Sequence, residues 1–139
     1  MAEPAAYKHE VYVGLSSVDR AGVLFYGELF RYAHDTYEAF MRRLDESLTG
    51  VFEKGQVVIP VAHAEADFIR PLHHGDTITV QLRVRRIGRS SITFGYEFLG
   101  PGAELCARAQ TVHVFVDRKS GQATAVPSAL REKLQQFVR

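Results

Sequence analysis

Apolar positions recur along this chain with two different periods, and the change of period divides it. Over residues 27–46, Leu29, Ala33, Tyr37, Phe40 and Leu44 fall three and four residues apart, with Arg31, His34, Asp35, Arg42 and Arg43 between them. That spacing predicts a helix with one buried face, about five turns long at 3.6 residues per turn. Further on the period becomes two. Ile78, Val80, Leu82 and Val84 alternate with Thr77, Thr79, Gln81 and Arg83, and Ile92, Phe94, Tyr96 and Phe98 repeat the alternation. These are two predicted strands, each with one face toward a core. Residues 105–116 predict a third long strand. Gly88-Arg89 and Gly100-Pro101-Gly102 separate the three, and such short connections imply an antiparallel meander. Residues 57–69 read as the strand before it and 7–13 as the first strand of all. Residues 128–138, after Pro127, form a short amphipathic helix with Ser128 or Pro127 at its start.

The predicted order is strand, long helix, four strands, an α+β arrangement in which one sheet curves around one helix and each buries the other's apolar face. Such a sheet keeps exposed edges, which natural proteins usually pair or cover, so a homodimer is expected. At 139 residues, without internal repeats or a Pro/Ser linker, the chain reads as a single domain over 1–139. Its apolar runs are far shorter than the roughly 20 residues needed to cross a bilayer. Its first ten residues lack a basic segment followed by an apolar one, so a soluble cytoplasmic protein is expected. The single cysteine, Cys106, excludes an internal disulfide and a cysteine-rich zinc site. A net charge of +1 argues against general binding to nucleic acid or acidic membranes, leaving any polyanionic ligand to local basic clusters.

The segment 17–28, Ser-Val-Asp-Arg-Ala-Gly-Val-Leu-Phe-Tyr-Gly-Glu, carries the clearest chemistry. It sets Asp19 seven residues before Tyr26, at the start of the predicted helix. The first backbone N–H groups of a helix lack intrahelical acceptors and carry the positive end of its dipole, so a carbonyl docked there has its developing oxyanion stabilised. Gly22 permits the turn or the close ligand approach such a loop requires, and Val23, Leu24 and Phe25 can exclude water. An Asp in a Gly-containing loop serves equally well as a turn or cap residue, and the residues alone leave both roles open. His73-His74 could suggest a metal, but adjacent side chains diverge and nothing nearby completes a site. The pair is read as loop surface, with no metal expected.

Asp19, Gly22 and the run Val23-Leu24-Phe25-Tyr26 before a long helix resemble the 4-hydroxybenzoyl-CoA thioesterase family of hot-dog proteins. The resemblance continues in order through Asp67-Phe68 with Pro71 and Gly75-Asp76, Ile87-Gly88-Arg89-Ser90-Ser91, and Val116-Asp117 leading to Pro127. It implies a hot-dog fold and hydrolysis of acyl-CoA thioesters without a cofactor, at sites built across a dimer interface and frequently in dimers of dimers. Asp19 is then the nucleophile or general base, and the Tyr26 backbone N–H polarises the thioester carbonyl. Tyr26, together with His34-Asp35-Thr36-Tyr37-Glu38, is similar to the aryl-CoA branch, which includes 1,4-dihydroxy-2-naphthoyl-CoA hydrolases, so an aromatic acyl group is expected.

Tyr37 reads as core by its spacing. Glu38 reads as solvated with Asp19 present, although a helix carboxylate acts in another hot-dog branch. By the resemblance, His63 borders the acyl pocket and the Gly88 turn carries CoA, with Arg86, Arg89, Ser90 and Ser91 as contacts, Arg83 and Arg85 beside them, and Arg108, Arg118 and Lys119 as candidates from the partner. Other readings are an aliphatic acyl-CoA thioesterase, a non-catalytic acyl-CoA-binding regulator, and a dehydratase or hydratase. The last needs a His paired with a carboxylate, and no His lies within the Asp19 loop.

Overall fold

The computed structural model describes residues 6–47 and 55–138. Residues 1–5, on which part of the leader reading falls, lie outside these. The elements are β1 (Tyr7–Tyr12), α1 (Tyr26–Ser47), β2 (Val57–Val58), β3 (Val61–Phe68), β4 (Thr77–Ile87), β5 (Ser91–Leu99), β6 (Leu105–Val114), β7 (Val116–Asp117) and α2 (Ser128–Gln135). Five strands form an antiparallel sheet in the order β1-β4-β5-β6-β3, and β2 pairs with β7 in a separate ribbon.

The sheet wraps α1, which is the hot-dog architecture. Its inner face carries Ile78, Val80, Leu82 and Val84 of β4 and Ile92, Phe94, Tyr96 and Phe98 of β5, all buried. Against them α1 sets Leu29, Tyr32, Ala33, Phe40, Met41 and Leu44, and Phe40 meets Phe94 edge-on with ring centroids 6.1 Å apart. The period-three-and-four stripe therefore forms the helix's buried face. The helix has 22 residues, one more at each end than the spacing predicts.

Two strands are shorter than expected. The segment 57–69 is broken at Ile59-Pro60, where proline cannot donate to a ladder; β2 leaves for β7, and the Pro60 carbonyl accepts from Val114 N at 3.0 Å. The segment 105–116 is broken at Phe115, whose N–H donates to Ser90 O at 2.7 Å while its side chain enters the core. β3 pairs with β6, not with its neighbour in sequence, and no strand among the described residues pairs with its other edge. After α2 the chain returns to β4, where Val138 bridges Val84.

No helix among the described residues is long and apolar enough to cross a membrane.

Candidate active site

The loop ahead of α1 is tied down at both ends. Val18 bridges Leu24, Phe25 N donates to Ser17 O at 2.9 Å, Leu24 N to Leu72 O at 2.8 Å and His74 N to Gly22 O at 3.0 Å. Gly22 turns the chain with φ of +77°, a left-handed conformation that costs a residue with a Cβ. Within this frame Asp19 Oδ1 accepts from Ala21 N at 2.9 Å and Val23 N at 3.2 Å, so the carboxylate does act as the turn residue that a bland reading of the loop expects. Oδ2 accepts no hydrogen bond among the described residues, and the side chain is exposed. One oxygen therefore holds the group in place and the other is available.

α1 starts at Tyr26, whose backbone N–H has no acceptor among the described residues. Phe25 lies over this terminus: a Cβ at Gly27 would meet its ring at 3.1 Å, and the ring sits 4.8 Å from that of Tyr26. Phe25 itself is half exposed. Leu24 is buried and Val23 partly so. Beside the loop, Val23, Leu24 and Leu29 line a cavity of about 290 Å³ with Phe68, Ile69 and Leu72.

Glu28 in the first turn of α1 has a role that the spacing of residues did not disclose. Its Oε1 accepts from the buried Ser17 hydroxyl at 2.8 Å and pairs with Arg31 at 3.0 Å. The Glu28 carboxylate holds the Arg31 guanidinium above its ordinary pKa. A carboxylate at this end of a helix also favours the dipole, and the hydrogen bond to Ser17 clamps the Asp19 loop to the helix. A Ser and a Glu separated by eleven residues and a turn give no periodic signal.

The other candidates lie elsewhere in the protomer. His63 shares the outer face of β3 with Glu65 and Asp67, away from α1, and its Nε2 is 3.0 Å from Glu65 Oε1. It stands roughly 17 Å along β3 from Phe68, the end nearest the Asp19 loop, at 3.3 Å per residue. One protomer does not bring it to Asp19.

The turn bearing Arg86, Arg89, Ser90 and Ser91 is at the far end of the 11-residue β4 from that loop, roughly 33 Å away. It is held by Gly88 N to Ser91 O at 2.7 Å, Val126 N to Arg89 O at 2.9 Å and the Arg131 guanidinium donating to Gly88 O at 2.6 Å. Arg86 and Arg89 are exposed, whereas Ser90 and Ser91 are partly buried. Arg85 lies across Gly95 on the outer face, where a Cβ would meet its Nε at 2.5 Å.

Glu38 is exposed, and Tyr37 packs inward against Phe94 with centroids 5.4 Å apart. His73 N donates to Asp76 Oδ2 at 2.9 Å and so shapes its own turn.

Comparison with known proteins places these features among thioesterases. Residues 13–134 match the model of the thioesterase-like superfamily. A 1,4-dihydroxy-2-naphthoyl-CoA hydrolase of Rippkaea orientalis is 34% identical over 125 residues, covering 88% of this chain and 91% of the relative. The enzyme of the same name from Synechococcus elongatus is 30% identical over 132 residues, covering 94% and 96%. The crystal structure of a 1,4-dihydroxy-2-naphthoyl-CoA thioesterase from Synechocystis superposes with a TM-score of 0.84 at 27% identity, over 94% of this chain and 96% of that one.

Proposed function

The chain belongs to the thioesterase-like superfamily, and from that premise we propose that it hydrolyses an aromatic acyl-CoA thioester of the 1,4-dihydroxy-2-naphthoyl-CoA or 4-hydroxybenzoyl-CoA type. The observation that carries the mechanism is the Asp19 loop: one carboxylate oxygen is anchored by two backbone N–H groups, seven residues ahead of the start of α1, and neither the other oxygen nor the first helical N–H has a partner among the described residues. A thioester carbonyl accepting from Tyr26 N–H gains charge stabilisation as it becomes tetrahedral. Asp19 then acts by one of two routes. Its oxygen attacks the carbonyl carbon, CoA leaves as thiolate, and water cleaves the resulting anhydride; or it takes a proton from water, whose oxygen attacks, and the proton passes to the departing sulfur. Both release the free acid and CoA.

The site is completed, in this reading, by a second copy. Two protomers joined antiparallel along their open β3 edges run their sheets in opposite directions. The Asp19 loop of one then shares a sheet end with the Gly88 turn of the other, which places Arg86, Arg89, Ser90 and Ser91 where CoA phosphates can be met. Val61 and Phe68, each about half exposed at the ends of β3, support the same edge as an interface. A dimer of dimers is the assembly expected by resemblance, with acyl-CoA as the only ligand.

A free-thiol release assay over aryl-CoA and aliphatic acyl-CoA thioesters tests the substrate class. Higher kcat/KM on aryl esters is expected; turnover confined to aliphatic esters contradicts it, and tight binding of every ester without turnover favours a regulator.

A further inference from the structure

We propose that Ser17 and Glu28 are positioning residues for the hydrolysis: the hydrogen bond between their side chains sets the Asp19 carboxylate against the Tyr26 N–H at which the thioester carbonyl is held. The inference rests on the Asp19 reading above and deepens it.

Residues 17–25 form a narrow loop with two arms. Its rungs are Phe25 N donating to Ser17 O at 2.9 Å, the bridge between Val18 and Leu24, and Asp19 N donating to Val23 O at 2.8 Å. Asp19 stands on one arm. The other arm runs directly into Tyr26 and α1, and Glu28 N donating to Phe25 O at 2.9 Å fixes it to the first helical turn. The Asp19 arm is tied differently. Among the described residues, the hydrogen bond that joins it to α1 is that of the Ser17 hydroxyl, which donates to Glu28 Oε1 at 2.8 Å. Ser17, Phe25 and Glu28 are thereby closed into a ring of hydrogen bonds around the start of the helix. Without the side-chain bond, the Asp19 arm can tilt away from α1 while the other arm stays in place.

The chemistry of the pair suits a clamp. Ser17 is 4% exposed, so its hydroxyl has no ready access to water if Glu28 is lost. An ionised acceptor also makes the bond stronger than a neutral one. From the solvent side, Arg31 Nη1 holds the same Glu28 oxygen at 3.0 Å. An exposed pair of that kind contributes little by itself, which leaves the buried bond to Ser17 as the tie. The Arg31 guanidinium also offsets the negative charge of Glu28, two residues from the N–H that meets the forming oxyanion.

Both routes open to Asp19 depend on where its free oxygen stands relative to the carbonyl carbon or to the attacking water. A displacement of about 1 Å can cost on the order of a hundredfold in rate. The Gly88 turn lies at the other end of β4 and has its own hydrogen bonds. Loss of the clamp is therefore expected in kcat, with KM little changed.

The test measures kcat, KM and melting temperature for wild type, Ser17→Ala, Glu28→Ala, Glu28→Gln and the double alanine variant, on 4-hydroxybenzoyl-CoA and 1-hydroxy-2-naphthoyl-CoA. Asp19→Asn is the reference. Each single alanine variant should lose roughly ten- to a hundredfold in kcat, with KM within about threefold of wild type. The double variant should be no slower than the slower single, because both changes remove one interaction. Glu28→Gln, whose amide oxygen still accepts from Ser17, should keep most of kcat. A merely structural role would lower the melting temperature and leave the kcat of the folded enzyme alone.

Full kcat in both alanine variants, or losses that multiply in the double variant, overturns the inference. Glu28→Gln as slow as Glu28→Ala overturns it too, since the carboxylate charge would then matter and the tie to Ser17 would not. Either result leaves the Asp19 reading standing where Asp19→Asn is inactive. Full turnover by Asp19→Asn, or wild type inert on both esters, overturns that reading and the inference with it.

Discussion

Tyr37 and His113 stack nearly parallel, with ring centroids 4.1 Å apart, in the space between the long helix and the sheet. Burial raises the Tyr37 pKa to about 12 and lowers that of His113 to about 4, so both rings stay uncharged across the physiological range. The unfolded chain takes up the histidine proton near pH 6.5, well before the folded one does. Between pH 6.5 and 4 the unfolded state therefore binds more protons, and stability rises with pH. The contribution is complete above pH 6.5 and is lost on acidification toward pH 4, by on the order of 3 kcal/mol. Urea unfolding at pH 7.0 and 4.5 should show this loss in wild type and a clearly smaller one in His113→Phe. Equal losses would mean that other groups dominate the acid limb.

Gly22 controls where Asp19 stands. The space around it is open, so Gly22→Ala meets no clash and acts only through its φ of +77°. A cost of about 1–2 kcal/mol is expected from that conformation alone, seen as a lower melting temperature. The loop relieves the strain by shifting the turn that fixes Asp19 Oδ1, so kcat should fall more than tenfold while KM changes little. A variant with lowered stability and full kcat would show that the loop tolerates displacement.

Much of this architecture is legible in the sequence because single periods dominate it. Leu29, Ala33, Phe40 and Leu44 mark the helix face, and Ile78 to Val84 and Ile92 to Phe98 mark two inner strand faces, each by one repeated spacing that only one burial geometry satisfies. The breaks at Pro60 and Phe115 were harder to read. Proline argues locally against a continuous strand, but the turn at Phe115 depends on Ser90, twenty-five residues earlier in the chain.

Within the site, Asp19, Gly22 and Tyr26 stand out because a motif gathers them into eight residues. Outside it, the buried pair Thr111 and His113 is hidden in the sequence, since two polar residues at alternate positions of a strand look like a solvated face. Their burial, and the stacking of His113 on Tyr37 of α1, show that they face inward.

Arg131 ties α2 to the Gly88 turn through a 2.6 Å hydrogen bond. Charge-assisted bonds of this kind contribute roughly 1.5–3 kcal/mol. Arg131→Ala should lower the melting temperature and loosen the turn that presents Arg86 and Arg89, raising KM for CoA esters several-fold with little change in kcat. Thermal melts and steady-state kinetics on one preparation check both parts, and an unchanged KM would separate the turn from CoA binding.

The shared-site arrangement makes a prediction about mixtures. Asp19→Asn and the double variant Arg86→Ala/Arg89→Ala each damage a different half of every site. After co-refolding, a mixed dimer holds one site with both an intact Asp19 loop and an intact Gly88 turn. Activity above the sum of the two parents is expected, with light scattering reporting a dimer or a multiple of it. Strict additivity, or a monomeric protein with full activity, would place the whole site within one chain.

The most direct test of the central claim is thiol release from 1,4-dihydroxy-2-naphthoyl-CoA by wild type and Asp19→Asn, with ester binding measured in parallel. The account predicts turnover by wild type, loss of kcat by at least about a hundredfold in Asp19→Asn, and ester binding retained in the variant. Asp19→Asn with near wild-type kcat would contradict it and move the catalytic role away from the loop ahead of α1.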